Sequence, residues 1–422
     1  MLDRHLARQH VDITRRYFLG LGAAGAAALA GSHSLSAAED NGPSENALSK
    51  AVDELQGKYL TPADDFGTVE RGDPLPYKLP PDRLSEVGLT RESWWLDVVA
   101  DPESDSQLER PLSKEQGTAF DWPALMKLAE TKAVRYLKVM TCNNGNSPLG
   151  MGLWEGVPLR EVIWLARPKE NIRHLFYYGY HNDDPKQMFQ CWLPINRVLE
   201  DPPGELPVML GYKLNGEWLS GRRGGPVRML VPESYGFKSV KWLQRVLLTN
   251  NHRSNDTYAD GNNDTHSWLK TFARFAGSEV KVQAGRPIAI TGAAQVGISG
   301  LARVQYWLQP KDAPLPSDDP YLASADWHDA DILPPPDRWN NLPDGKLPDV
   351  PLQFDVATGR PRQWPLRYTI AHWAVLAPPL AAGKYDLRCR TIDAAGQAQP
   401  MPRPFAKSGR NSIQRITLSV ES

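Results

Sequence analysis

The sequence predicts an α+β domain followed by an immunoglobulin-like β-sandwich, and three observations carry that prediction. Up to about residue 275 the apolar spacing switches between helical and strand periods without the regular alternation of a doubly wound sheet. From 276 onward short β-branched and aromatic runs recur between turn residues. The 14 Trp and 37 Pro suit strands joined by long loops better than a helical bundle, and 422 residues are ample for two cores.

At the N-terminus, Thr14-Arg15-Arg16-Tyr17-Phe18-Leu19 is a twin-arginine pattern. An apolar stretch over 21–30 and Ser36-Ala37-Ala38, which resembles a signal-peptidase site, follow it. Residues 1–38 are therefore expected to be a twin-arginine signal peptide and the mature protein to be periplasmic. The stretch is about half of the roughly twenty residues a spanning helix needs, so cleavage is expected rather than an anchor. No membrane span is then expected after signal cleavage. Gly20-Leu21-Gly22-Ala23-Ala24-Gly25 spells a dinucleotide-binding fingerprint, but no strand precedes it, and it is rejected. Twin-arginine export carries folded proteins, and loading a complex redox cofactor is a frequent reason to fold first.

Residues 39–60 are polar and read as a flexible extension. Within 61–275, Asp121 and Pro123 mark a helix start leading through Ala129. Residues 136–140 read as a strand ended by Asn143-Asn144-Gly145-Asn146; 157–165 has helical spacing; 175–180 and 228–232 read as strands. Within 276–422 strands are expected over 280–282, 288–291, 304–308, 385–389 and 413–418. A proline-rich insertion over about 310–365, containing Pro334-Pro335-Pro336, reads as packed over the sandwich surface or as a partner-binding arm.

With 48 basic and 49 acidic residues, bulk charge selects neither nucleic acid nor an anionic membrane. Three cysteines, Cys142, Cys191 and Cys389, form no even framework of disulfides. The chain has no Cys-x-x-Cys-His for its own c-type haem, and neither His-Glu-x-x-His nor Gly-x-Ser-x-Gly.

Cys142 follows an apolar run and precedes small polar turn residues, a setting that suits a metal ligand; a small buried hydrophobe is the other reading. Arg222-Arg223-Gly224-Gly225-Pro226-Val227-Arg228, with Lys238 and Lys241, combines cations with glycines that let a backbone approach, as a buried phosphate needs. A solvated turn is the alternative, against which Pro226, Val227 and Trp242 are interleaved. The polar run over 255–264 lacks the spacing of a calcium loop and reads as a loop at a cleft mouth, with Tyr258 and His266 as candidate substrate contacts.

Taken in order, Cys142 before Gly145-Asn146, Trp154-Glu155-Gly156-Val157-Pro158-Leu159, Leu214-Asn215-Gly216, Gly224-Gly225-Pro226-Val227-Arg228, Val240-Lys241-Trp242-Leu243 and Asp393-Ala394-Ala395-Gly396 resemble the sulfite oxidase family of molybdenum enzymes over nearly the whole mature chain. The resemblance implies a pyranopterin molybdenum cofactor (molybdopterin) in the first domain and a dimerisation role for the sandwich. It implies Cys142 as the metal ligand, with Asn146, Asp183 or Asp184, Arg223, Arg228, Lys238 and Lys241 around the cofactor. Two departures stand out. Ser147-Pro148 follows where the family has an arginine, and Phe189 falls where it has an active-site tyrosine. That leaves Arg71 or Arg222 to meet an anionic substrate beside Cys142 and Phe189, while Trp192 and Phe189 make the wall aromatic and Cys191 reads as a buried spectator.

The resemblance thus implies oxygen-atom transfer to sulfite or another small sulfur compound, with electrons passed to a separate c-type cytochrome by a homodimer. A sulfoxide-type reductase with the same cofactor and a cofactor-free binding protein on the same fold are the alternatives.

Overall fold

The computed structural model describes residues 43–253, 256–401 and 405–422; the expected export signal over 1–38 lies outside them. The first domain holds two five-stranded sheets. In one, Phe120–Asp121, Trp95–Ala100, Leu243–Thr249, His174–Gly179 and Cys191–Pro194 lie side by side. The second orders Val134–Thr141, Pro148–Pro158, Met209–Leu214 and Glu217–Trp218, with Arg228–Leu230 also paired to Met209–Leu214. Only Trp95–Ala100 with Leu243–Thr249 is parallel in these two sheets, which accords with the absence of strand–helix alternation in the sequence.

Local chemistry sets the element ends. The Asp121 carboxylate accepts from Ala124 N at 2.9 Å and Pro123 sits in the first turn, so the helix runs Trp122–Lys132. The helix expected over 157–165 starts at Leu159, because the preceding strand continues to Pro158, where pairing with Met209 ends. Leu96, Val98, Leu125, Val162, Leu175, Val246 and Leu248 close the core between the first sheet and these helices.

The second domain is a sandwich of eight strands. His328–Ile332 pairs with Ile370–Ala377 on one face and Arg303–Pro310 on the other, so a single strand from inside the proline-rich stretch joins the two layers. Ile288, Ile290, Trp373, Leu387, Cys389 and Leu418 meet between them.

Two expectations are corrected here. The extension is not loose where it is described: a helix over Pro43–Gln56 packs on strands Ile288–Gln295 and Ile370–Ala377. Tyr59 and Leu60 are buried, with Leu60 N donating to Asn340 Oδ1 at 3.0 Å. Nor does the proline-rich insertion only cover the sandwich. Trp339, Leu342, Phe354, Leu366 and Tyr368 share one core with Tyr59, Tyr136 and Trp154 of the first domain. Asp349 pairs with Arg135 at 2.5 Å, and Leu352 N donates to Arg135 O at 2.8 Å. A segment rich in proline has few backbone donors, so large side chains and asparagine amides fasten it. Accordingly, Trp339→Ala should destabilise the protein by about 3–5 kcal/mol in urea unfolding, as truncation of a core tryptophan does; an undocked arm would leave the midpoint unchanged.

Candidate functional site

A cavity of about 490 Å³ opens where the two sheets of the first domain meet loops from both domains. Cys142 is placed in it by the end of strand Val134–Thr141. Thr141 O accepts from Gly236 N at 2.8 Å, Thr141 Oγ1 bonds Gln295 Oε1, and Gly145 N closes a turn on Cys142 O at 3.0 Å. The thiol is free and partly exposed, at the cavity wall. Next to it Asn143 is buried, its amide donating to Ser267 Oγ and Lys407 O.

On another wall Arg223, Arg228 and Lys241 converge. Gly224 adopts φ +93° beneath Lys241, and a Cβ there would lie 2.6 Å from Lys241 Cγ. At Gly179 a Cβ would meet Lys241 O at 1.9 Å, so both positions require glycine for the lysine to sit where it does. Arg223 donates to Gly67 O and Ala63 O, Arg228 to Arg223 O and Ser239 O, and Lys241 to Thr68 Oγ1 at 2.7 Å. Among the described residues none of the three has a carboxylate in ion-pair contact. Burial, and then the Arg223 charge, push Arg228 down to about 9. Burial, and then Arg228, push Lys241 down to about 7. Cations that suppress one another's charge are calling for an anion.

The third wall is aromatic. Tyr258 stacks on Phe237 at 4.0 Å between centroids, and Phe189 stands edge-on to both. Arg71 lies 3.9 Å above the Phe189 ring, and Lys407 Nζ lies 5.6 Å from the Tyr258 ring centroid. Burial, and then the neighbouring Cys142, push the Tyr258 phenol up to about 12, so it stays protonated at neutral pH.

Of the residues expected at the site, Cys142, Phe189, Arg71, Arg223, Arg228, Lys241 and Tyr258 line this cavity. The others lie elsewhere. Lys238 is buried and points to Trp192 O at 2.7 Å and the Asp256 carboxylate at 3.3 Å. Asp183 is exposed and pairs with Arg83, and Asp184 caps a turn at Lys186 N. Arg222 sits 3.8 Å from Glu70 outside the lining, and Asn146 is exposed. Cys191 is fully buried, and its thiol is pushed up by that burial. His266 and Trp192 line a separate cavity. Thr68, Asn143, His181, Phe237 and Lys407 were missed. Thr68 sits in the stretch that holds Arg71, whereas Lys407 carries no local signal, being brought in from the second domain.

Residues 112–257 match the family model described as an oxidoreductase molybdopterin binding domain. The mitochondrial sulfite oxidase of Rattus norvegicus is 32% identical over 120 residues, 28% of this chain and 21% of the relative. The NADPH nitrate reductase of Pichia angusta is 26% identical over 215 residues, 50% of this chain and 23% of the relative. Residues 112–257 thus form a molybdopterin-binding oxidoreductase domain, and the chain is similar over part of its length to sulfite oxidases and nitrate reductases. It spans less than a quarter of the length of these curated relatives. The fold is similar to that in the crystal structure of the sulfane dehydrogenase SoxCD from Paracoccus pantotrophus, with a TM-score of 0.55 and 18% identity, covering 94% of this chain and 96% of that one.

The family's cofactor is molybdenum on a pyranopterin, and the donors here fit it. Arg228 Nε, Asn143 Oδ1 and His181 Nδ1 are buried without a partner, and all three residues line the cavity. Arg223, Arg228 and Lys241 match a phosphate in charge. No group of three or more His, Cys, Asp or Glu that could hold a metal gathers among the described residues. A soft metal at the Cys142 thiolate would therefore draw its remaining ligands from the cofactor's sulfurs.

The lysine gives a pH test. Below about pH 7 both folded and unfolded states carry the Lys241 charge, which the cofactor-free fold holds at a cost. Between about 7 and the ordinary 10.5 only the unfolded state keeps the proton, so stability rises with pH across that window. Unfolding free energies measured at several pH values should show this rise for the cofactor-free protein relative to Lys241→Met. Loading the cofactor should flatten it, because a bound phosphate keeps the lysine charged.

Proposed function

We propose that this chain is an exported, periplasmic molybdenum enzyme that oxidises sulfite or a small sulfur compound related to it and passes the electrons on to a c-type cytochrome. The observation that carries the reading is that Cys142, three cations without carboxylate partners and an aromatic wall bearing two further cations face one cavity. Similarity to sulfite oxidases over about a third of the chain supports a sulfur substrate. The twin-arginine pattern supports export, and the sandwich is the candidate surface for a homodimer.

When bound, molybdenum supplies a two-electron couple and an oxygen atom exchangeable with water. The protein's part follows from its side chains. Cys142 supplies the thiolate ligand. Arg223, Arg228 and Lys241 compensate the phosphate and fix the cofactor's orientation. Arg71 and Lys407 offset the charge of an oxyanion, taking up the role of the arginine missing after Asn146. Each rests on an aromatic face, which keeps it less hydrated than a cation in water. Phe189, Phe237 and Tyr258 exclude water around the sulfur. Tyr258 also brings a protonated phenol against Phe189, the position at which the family's tyrosine is missing, and its hydroxyl can donate a hydrogen bond to substrate oxygen.

The test uses the mature protein loaded with its cofactor. Molybdenum and pterin should be bound in equal amounts, and sulfite should change the visible spectrum of the metal centre. Cys142→Ser should lower turnover by more than the roughly 10–100-fold seen when residues behind a metal ligand are lost, with unfolding little changed. Metal that does not respond to sulfite would eliminate sulfite as substrate, and unchanged turnover in Cys142→Ser would eliminate the thiolate assignment. Tyr258→Phe should lower kcat by roughly a hundredfold if the phenol handles a proton, with KM little affected.

A further inference from the structure

Behind the aromatic wall lies a second cavity, of about 470 Å³, which the proposed reaction does not use. It is lined by Trp192, Arg197, Glu233, Lys238, His266 and Trp268. Phe237 belongs to the first cavity and Trp192 to the second, and Lys238 Nζ lies 5.7 Å from one ring and 5.1 Å from the other. One layer of side chains therefore separates the two.

Among the described residues, the acidic and basic side chains lining this second cavity are in ion pairs except for the exposed Glu200. Arg197 pairs with Glu233 at 2.8 Å, Lys238 with Asp256 at 3.3 Å, and Arg160 with Asp201. Nothing there asks for an ion. Arg197 Nη1 and Asp201 Oδ1 make no hydrogen bond but face each other at 3.6 Å, and the rest of what is unmatched is planar and neutral. The His266 ring stacks on Trp268 at 5.8 Å and 18° and touches Trp192 at 5.2 Å. Trp268 remains 57% exposed, leaving much of its surface free. Desolvation, and then the Lys238 ammonium, lower the His266 imidazole, so it adds no charge at neutral pH. Finally, Trp192 is only 8% exposed and its Nε1 is buried with no acceptor. A buried indole N–H without a partner costs free energy that an acceptor on a ligand would relieve.

We infer that the second cavity is a binding site for a neutral, planar, conjugated ligand bearing a carbonyl acceptor, the chemistry of a quinone, with Trp268 and His266 as the stacking platform and Trp192 Nε1 as the hydrogen-bond donor. Flat rings lie well on indole and imidazole faces, and the carbonyl answers the unmatched indole donor.

Duroquinone is the probe, since its fully substituted ring resists alkylation by the Cys142 thiol. Binding to the mature protein is measured by equilibrium dialysis, without turnover, so the result is independent of the metal centre's activity. Saturable binding of one equivalent is expected. Trp268→Ala, at an exposed position that should not disturb folding, is expected to weaken it roughly three- to tenfold through lost stacking. Trp192→Phe keeps a ring and removes the donor, and should weaken it roughly fivefold, one hydrogen bond's worth. Absence of binding to the wild type overturns the proposal. So does binding that ignores both substitutions or that is lost instead in Phe189→Ala, which would place the ligand in the first cavity.

Discussion

The organisation of this protein depends on three cations, two buried and one half-buried, that it does not itself neutralise. Arg223, Arg228 and Lys241 bond only to carbonyls and one hydroxyl, and their charges depress one another. A fold that meant to bury these side chains for stability alone would pair them with carboxylates, as it does for Arg197 with Glu233. Leaving them unpaired is tolerable only if an anion arrives. The glycines at 179 and 224 serve the same end, since neither position could carry a side chain with Lys241 where it is.

The site is also not the property of one domain. Thr141, directly before Cys142, is bonded to Gln295 of the sandwich, and Asn143, directly after it, to the Lys407 carbonyl. The cysteine is thus clamped on both sides by the second domain. The proline-rich arm adds Trp339 and Phe354 to the core beneath the same sheet. Relative movement of the domains would shift Cys142 against the cations, so the close packing between them is part of the geometry of the site.

How much of this was legible beforehand follows from what each residue's neighbours are. The strand before Cys142, the Asp121 cap and the glycine–arginine cluster are local patterns, and each lies where periodicity and turn chemistry put it. Lys238 lay beyond that reach. It stands in sequence beside Ser239 and Lys241, but backbone direction turns its ammonium toward Trp192 and Asp256 while Lys241 faces the cavity. Lys407 and the docking of the arm were illegible for a different reason: they depend on contacts between distant segments, which no local pattern records. Tyr258 was visible only as a polar-loop residue, and its value comes from stacking on Phe237 against Phe189.

The unpaired cations also tie cofactor loading to folding. A ligand that binds only the native state stabilises it by an amount that grows with the logarithm of its concentration over its dissociation constant. Here that gain has a second part, because the bound phosphate removes repulsion the cofactor-free fold carries among Arg223, Arg228 and Lys241. The loaded and empty proteins should therefore differ most in the loops that hold these side chains, around Thr68, Gly224 and Lys241. Those loops also form the wall beside Cys142. For a chain proposed to cross a membrane already folded, such coupling favours the loaded conformation, in which the anion offsets the charges of Arg223, Arg228 and Lys241.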